Sequence, residues 1–113
     1  MKYIKLYEQA QPEKRVEYYP DGSVASEAWS QNDKLHREDG PARIGYYSNG
    51  SVEYERWYRK DRLHREDGPA RIGYYSNGSV ESEEWWFEGK QARDITSLED
   101  FRAWQYLNSV GLV

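Results

Sequence analysis

The 113 residues include no cysteine, so neither disulfides nor thiolate metal sites hold this chain together, which suits a cytosolic setting. Nothing approaches the roughly 20 apolar residues of a membrane span. The opening stretch Met1-Lys2-Tyr3-Ile4-Lys5-Leu6-Tyr7 lacks the apolar run of a signal peptide. A soluble, cytoplasmic protein is the expectation. A basic excess is missing too: 20 acidic residues against 16 basic leave a net charge of −4. Nucleic acid and anionic membrane attract basic surfaces, so neither is the expected partner. Phosphate loops, nucleophile elbows and zinc-ligand spacings are likewise absent from the sequence. The reading is therefore of a protein that is not an enzyme, with no catalytic residue, no cofactor and no metal.

Aliphatic residues are scarce, but aromatic ones are not: eleven Tyr, five Trp and two Phe. Rings standing on a sheet suit such a chain, because each brings a large apolar body and often a polar tip. The length is that of one domain, residues 1–113. Its main feature is internal repetition. Residues 35–53 read LHREDGPARIGYYSNGSVE and residues 63–81 read the same, a period of 28. One period earlier, RVEYYPDGSV at 15–24 parallels RIGYYSNGSV, and Trp29, Trp57 and Trp85 recur in phase. Units of about 12–39, 40–67 and 68–95 follow.

Each unit carries turn chemistry. Pro20-Asp21-Gly22, Ser48-Asn49-Gly50 and Ser76-Asn77-Gly78 mark hairpins in which Gly supplies positive φ. Asn32-Asp33, Lys60-Asp61 and Glu88-Gly89 read as two-residue loops. Asp39-Gly40-Pro41 and Asp67-Gly68-Pro69 separate units, with Pro at the start of a strand, and Asp67 is expected to bond nearby backbone. Between these breaks lie runs rich in β-formers, such as Val52-Glu53-Tyr54-Glu55-Arg56-Trp57-Tyr58. Pro20 suits the second position of a type I turn, which predicts a three-residue loop with a Gly bulge. That register places Arg15, Arg43 and Arg71 opposite Glu27, Glu55 and Glu83, each pair favourable by a few tenths of a kcal/mol. A two-residue Asn-Gly loop would instead set Arg43 against Arg56 and Arg15 against Ala28. Charge matching selects the first.

Alternation then assigns the faces. One would carry Ile44, Tyr46, Val52, Tyr54, Tyr58 and Leu63, the better core candidate. The other would carry Arg43, Tyr47, Glu53, Glu55, Trp57 and His64, with Glu27, Glu81, Glu83 and Glu84 extending an acidic ladder. After Glu88-Gly89 the pattern stops. Ser97 followed by Leu98-Glu99-Asp100 looks like a helix N-cap with acids in its first turn. Leu98, Phe101, Trp104 and Leu107, widened by Ala103 and Val110, supply an apolar stripe, and Gly111 a stop. Residues 97–110 thus read as a helix that caps the array. The whole is mainly β: an antiparallel meander of three tandem 28-residue units with a short C-terminal capping helix.

The run Asn32-Asp33-Lys34-Leu35-His36-Arg37 and the recurrent Tyr-Tyr-Ser-Asn-Gly hairpin resemble the MORN-repeat superfamily. The likeness is to its variant form, LHREDGPA-type tandem units of phage, giant-virus and bacterial antitoxin-labelled proteins, and it covers roughly residues 12–92. It implies MORN-like units that serve as an interaction scaffold. A phage- or mobile-element-encoded inhibitor that occludes a host enzyme or defence complex, in the host-cell cytoplasm, fits that resemblance.

His36 and His64, the only histidines, occupy equivalent positions at least two strands apart, about 10 Å or more. A structural role beside Trp29 and Trp57 is expected rather than one metal ion held between them. The string His64-Arg65-Glu66-Asp67, a copy of residues 36–39 set against a turn, reads as scaffold and not as an acid–base pair. Partner binding falls to the polar face, with Tyr47, Tyr75, Trp57 and Trp85 as anchors beside Glu53, Glu55, Glu81 and Glu83. Two other readings remain from the residues alone: a structural homo-oligomer joined through sheet faces or edges, and an acidic nucleic-acid mimic that blocks a basic groove.

Overall fold

The computed structural model describes residues 12–113, so the N-terminal residues Met1–Tyr7 lie outside the described residues. The described residues form a mainly β, antiparallel, meander-like sheet of eight strands with a C-terminal helix. The strands are β1 (Glu13–Tyr18), β2 (Val24–Gln31), β3 (Lys34–Leu35), β4 (Arg43–Tyr46), β5 (Val52–Arg56), β6 (Tyr58–Arg59), β7 (Arg62–Leu63), β8 (Arg71–Tyr74), β9 (Val80–Phe87) and β10 (Lys90–Ala92). They lie in the order β1-β2-β4-β5-β8-β9-β10, with β3 beside β2, while β6 and β7 form a separate two-stranded ribbon. The molecule measures 46 × 46 × 18 Å. A thickness of 18 Å holds one sheet with side chains on both sides, since packed sheets alone sit ~10 Å apart.

Turn chemistry placed the hairpins well. Gly50 N–H donates to the Tyr47 carbonyl at 2.9 Å and Tyr47 N–H to the Ser51 carbonyl at 2.8 Å. That is the three-residue loop, with Gly50 at φ 89 and equivalents at Gly22 and Gly78. The two-residue loops also form: Asn32 and Asp33, Lys60 and Asp61, and Glu88 and Gly89 all take positive φ, as a turn of this kind requires.

The register beyond each loop corrects the expected one. Tyr46 pairs with Val52, but Gly45 pairs with Tyr54, so Glu53 is an extra residue: a bulge. Arg43 therefore faces Arg56, Arg15 faces Ala28, and Arg71 faces Glu84. The charge-matched pairs are absent. The loop length was right, and a second irregularity three residues on restored the pairing of the shorter loop. Equivalent shifts occur at Glu17/Tyr18 and Gly73/Tyr74.

A one-residue shift moves every later side chain to the opposite face. Glu27, Ile44, Glu55, Ile72 and Glu83 form one row across the sheet, and Ala28, Arg43, Arg56, Arg71 and Glu84 form another on the far side. Tyr54 thus leaves the company of Ile44, while Glu55 and Trp57 join it. The compensation is visible at the tryptophans. Arg37 stacks on Trp29 at 3.9 Å and Arg65 on Trp57 at 3.9 Å, while Phe101 packs on Trp85 with centroids 5.0 Å apart. Covering an indole outweighs a solvent-exposed charge pair worth a few tenths of a kcal/mol.

The same arginines organise the unit breaks. Arg37 donates to Asp39 and to the Pro41 carbonyl, both at 3.2 Å, and Arg65 repeats this with Asp67 and Pro69. Asp67 thus holds a guanidinium instead of backbone. Gly40 and Gly68 admit that guanidinium: a Cβ would lie 2.9 Å from Arg37 Cζ and 2.7 Å from Arg65 Cζ.

Helix α1 (Leu98–Ser109) matches the predicted cap, with Ser97 Oγ accepting from Asp100 N–H at 3.1 Å and Gly111 at φ 77 just past its end. It covers Trp85, Ala92 and Phe87 with Leu98, Phe101 and Trp104. The expected stripe is buried only over its first half, because Leu107 and Val110 are exposed.

Candidate functional site

The far row is the unusual feature. Arg43, Arg56 and Arg71 stand directly opposite one another on three adjacent strands, with Arg15 further along. Like charges opposite each other destabilise a sheet, so folding alone gains nothing from the arrangement. Partners are few among the described residues: Arg71 reaches Glu84 at 3.7 Å, and Arg56 lies 4.4 Å over the Tyr54 ring. Arg43 Nε is buried without a hydrogen-bond partner.

Beside this row lies a shallow groove of about 230 Å³. It is lined by Tyr54, Gly73 and Ser82 from one register row and Arg56, Arg71 and Glu84 from the next on that face, together with Tyr47, Glu53 and Glu81. Tyr54 fits because Gly45 has no side chain: a Cβ there would meet the ring at 2.1 Å. Tyr47 donates its hydroxyl to the Tyr74 carbonyl at 2.6 Å. Loss of hydration, with Glu53 and Glu81 close by, raises its pKa above the ordinary 10.0.

The eight residues expected to bind a partner divide. Tyr47, Glu53 and Glu81 line this groove. Tyr75 is exposed at the turn end, 52% accessible. Glu55 and Glu83 sit on the opposite face, where Glu55 accepts from the Tyr74 hydroxyl at 2.8 Å. Burial and that carboxylate push Tyr74 up to about 12; burial and Glu27 do the same at Tyr46. Trp57 lies under Arg65, and Trp85, 8% exposed, is buried by the helix, so neither is a surface anchor. The acidic ladder is likewise split: Glu27, Glu55 and Glu83 on one side, Glu53, Glu81 and Glu84 on the other. The arginine row and Tyr54 escaped the sequence reading because charge matching rejected the Arg43–Arg56 pairing. That rejected pairing was the only signal for them.

Both histidines serve the fold. His36 Nδ1 accepts from Lys60 N–H at 3.1 Å, and His64 Nδ1 from Glu88 N–H at 2.9 Å. Each therefore fixes the two-residue turn that begins at that lysine or glutamate. Their backbones bond to the Trp29 and Trp57 carbonyls, as expected, each at 3.0 Å. An accepting Nδ1 leaves the proton of the neutral ring on Nε2. Burial lowers the His64 pKa below 6.5, with Arg59 adding to the effect and Glu66 and Glu88 opposing it. The sign is set by that depression. The unfolded chain takes up the proton first, so the contribution of His64 is complete above pH 6.5 and is lost as pH falls through the lowered folded value. The melting temperature should decline on acidification from pH 6.5, and His64→Gln should flatten that decline while lowering stability at neutral pH. An unchanged acid limb in this variant would show that other groups cause it.

Among the described residues no helix is long and apolar enough to cross a membrane, and no group of three or more His, Cys, Asp or Glu is placed to hold a metal ion. Among the described residues the architecture is thus an eight-stranded antiparallel sheet and a two-stranded ribbon, with a helix packed at one end and a groove lined by arginine, glutamate and tyrosine on one face. Compared with known proteins, the chain matches no family model, no curated protein and no solved structure.

Proposed function

We propose that this chain is a protein-binding module of three 28-residue units whose grooved face receives an acidic segment of its partner. The row Arg43–Arg56–Arg71 carries this reading. Three adjacent guanidiniums stand in one row with a single ion-paired carboxylate, Glu84, among them, and Glu53 and Glu81 border the groove beside that row. Carboxylates take guanidinium in bidentate fashion, and arginine and tyrosine dominate binding hot spots. Tyr47 and Tyr54 supply the aromatic contact, and Glu53 and Glu81 select a segment with a basic residue next to its acids. The module occludes its partner, in keeping with an inhibitor of a host enzyme or defence complex. A nucleic-acid mimic fits less well, because the carboxylates divide between two faces.

The test is affinity capture with the wild-type chain and an R43S/R56S/R71S variant, followed by calorimetry on the captured protein. A partner of the groove should be lost from the variant, with affinity falling about tenfold or more per arginine. Its binding should also weaken with salt, while the melting temperature holds or rises as repulsion is relieved. Retained binding by the triple variant would end this reading.

A further inference from the structure

The two outer edges of the sheet fit each other. Among the described residues, β1 has a strand on one side only, and so does the Val80–Glu84 part of β9, since β10 pairs only with Trp85–Phe87. The helix packs at Trp85 and Phe87, and residues 80–83 stay exposed. Inside the sheet, one hairpin joins the next twice in the same register. Ser26, Glu27 and Ala28 face Gly45, Ile44 and Arg43, and Tyr54, Glu55 and Arg56 face Gly73, Ile72 and Arg71. Positions 54–56 lie 28 residues after 26–28, and a further 28 gives Ser82, Glu83 and Glu84. The positions 28 residues before 43–45 are Arg15, Val16 and Glu17. The free part of β9 is thus the counterpart of a strand that receives the next hairpin, and β1 the counterpart of a strand that docks.

We propose that these edges join between copies of the chain, head to tail, with Ser82, Glu83 and Glu84 of one copy facing Glu17, Val16 and Arg15 of the next. The charges are complementary in that register. The internal junctions oppose Ala28 to Arg43 and Arg56 to Arg71, whereas the new one opposes Glu84 to Arg15. Glu83 against Val16 continues the pairs Glu27–Ile44 and Glu55–Ile72.

Side-chain hydrogen bonds give a second, independent match. Tyr19 and Tyr47 donate across a junction to the carbonyls of Tyr46 and Tyr74, and Tyr46 and Tyr74 donate to Glu27 and Glu55. Tyr75 and Tyr18 hold the same two positions at the ends, and are 52% and 63% exposed. A docked copy offers the Tyr75 hydroxyl the next copy's Tyr18 carbonyl, and offers that Tyr18 hydroxyl the Glu83 carboxylate. Edge strands usually carry charge to prevent pairing. Here the opposed charges differ in sign, so they select this register. Such a contact is heterologous and adds copies stepwise, into an open chain or a ring. Ser82 and Glu84 also line the groove, but self-association is read on the chain alone with no partner present, so its failure and that of the partner reading are distinguishable.

Sedimentation velocity on the whole chain over a concentration series tests it. The wild-type mass should grow with concentration in multiples of the monomer. Glu84→Arg and Arg15→Glu should each weaken association about tenfold, because attraction becomes repulsion. An equal mixture of the two variants should recover wild-type association, since every junction of an alternating chain again opposes unlike charges at positions 84 and 15. The milder pair Tyr18→Phe and Tyr75→Phe should also weaken it, with circular dichroism unchanged. A monomer at every concentration overturns the proposal, as does association indifferent to both charge reversals or a mixture that fails to recover.

Discussion

Replacing Phe101 with alanine is expected to remove ~3–5 kcal/mol of stability, the usual loss for a buried aromatic truncated to a methyl. Phe101 is the largest fully buried side chain among the described residues, at 0% exposure. It lies between Trp85 and Trp104, with ring centroids 5.0 Å and 6.0 Å away. The helix makes its main apolar contact there, so a cavity at 101 should release it from the sheet. Trp85 and Ala92 would then be wetted, and the uncovered end of the sheet would aggregate. Total stability for a domain of this size is only ~5–15 kcal/mol, which makes the loss a large fraction. Leu107→Ala is the control, because that side chain is 36% exposed and should cost under ~1 kcal/mol. Urea denaturation measures both. Equal midpoints for F101A and the wild type would mean that the helix does not hold the sheet end.

The second large effect sets two identical sequence positions against each other. Gly45 and Gly73 occupy the same place in the two identical copies of Arg-Ile-Gly-Tyr-Tyr. A Cβ at Gly45 would stand 2.1 Å from Tyr54 Cε2 and 2.6 Å from two further ring atoms, whereas at Gly73 it would meet only Ser82 Oγ, at 2.8 Å. A serine hydroxyl can rotate away. An aromatic ring stacked under Arg56 must move as a body, taking part of the groove lining with it. Gly45→Ala should therefore cost ~1–3 kcal/mol or more, as overpacking does, and Gly73→Ala clearly less. Removing the ring tests the cause: in a Tyr54→Ala background the Gly45→Ala penalty should shrink, with a coupling of ~0.5–3 kcal/mol. Equal penalties at both glycines would refute the close approach of Tyr54 to Gly45.

These two positions also mark how far the sequence could be read. Identical letters share local conformation but not neighbours, so no inspection of the copy itself separates Gly45 from Gly73. What depends on nearby backbone was legible. Gly22, Gly50 and Gly78 take positive φ because their turns need it, the two-residue loops form where turn residues cluster, and Ser97 opens the helix that its acidic first turn announced. Each is decided within a few residues by dihedral limits and orphan amide groups.

The faces were not decided locally. One extra residue at Glu53 exchanges Tyr54 for Glu55 on a given side, and no feature within the hairpin demands it. The demand comes from elsewhere: Arg37, Arg65 and Phe101 cover the tryptophans of one face, and the hydroxyls of Tyr46 and Tyr74 reach Glu27 and Glu55 across strand junctions. The amino-acid sequence alone therefore determined the strands, their turns and the terminal helix, which rest on interactions a few residues long. The register, and with it the arginine row and the groove, was decided only in the assembled sheet, where burial of aromatic rings over longer separations outweighs a weak exposed charge pair.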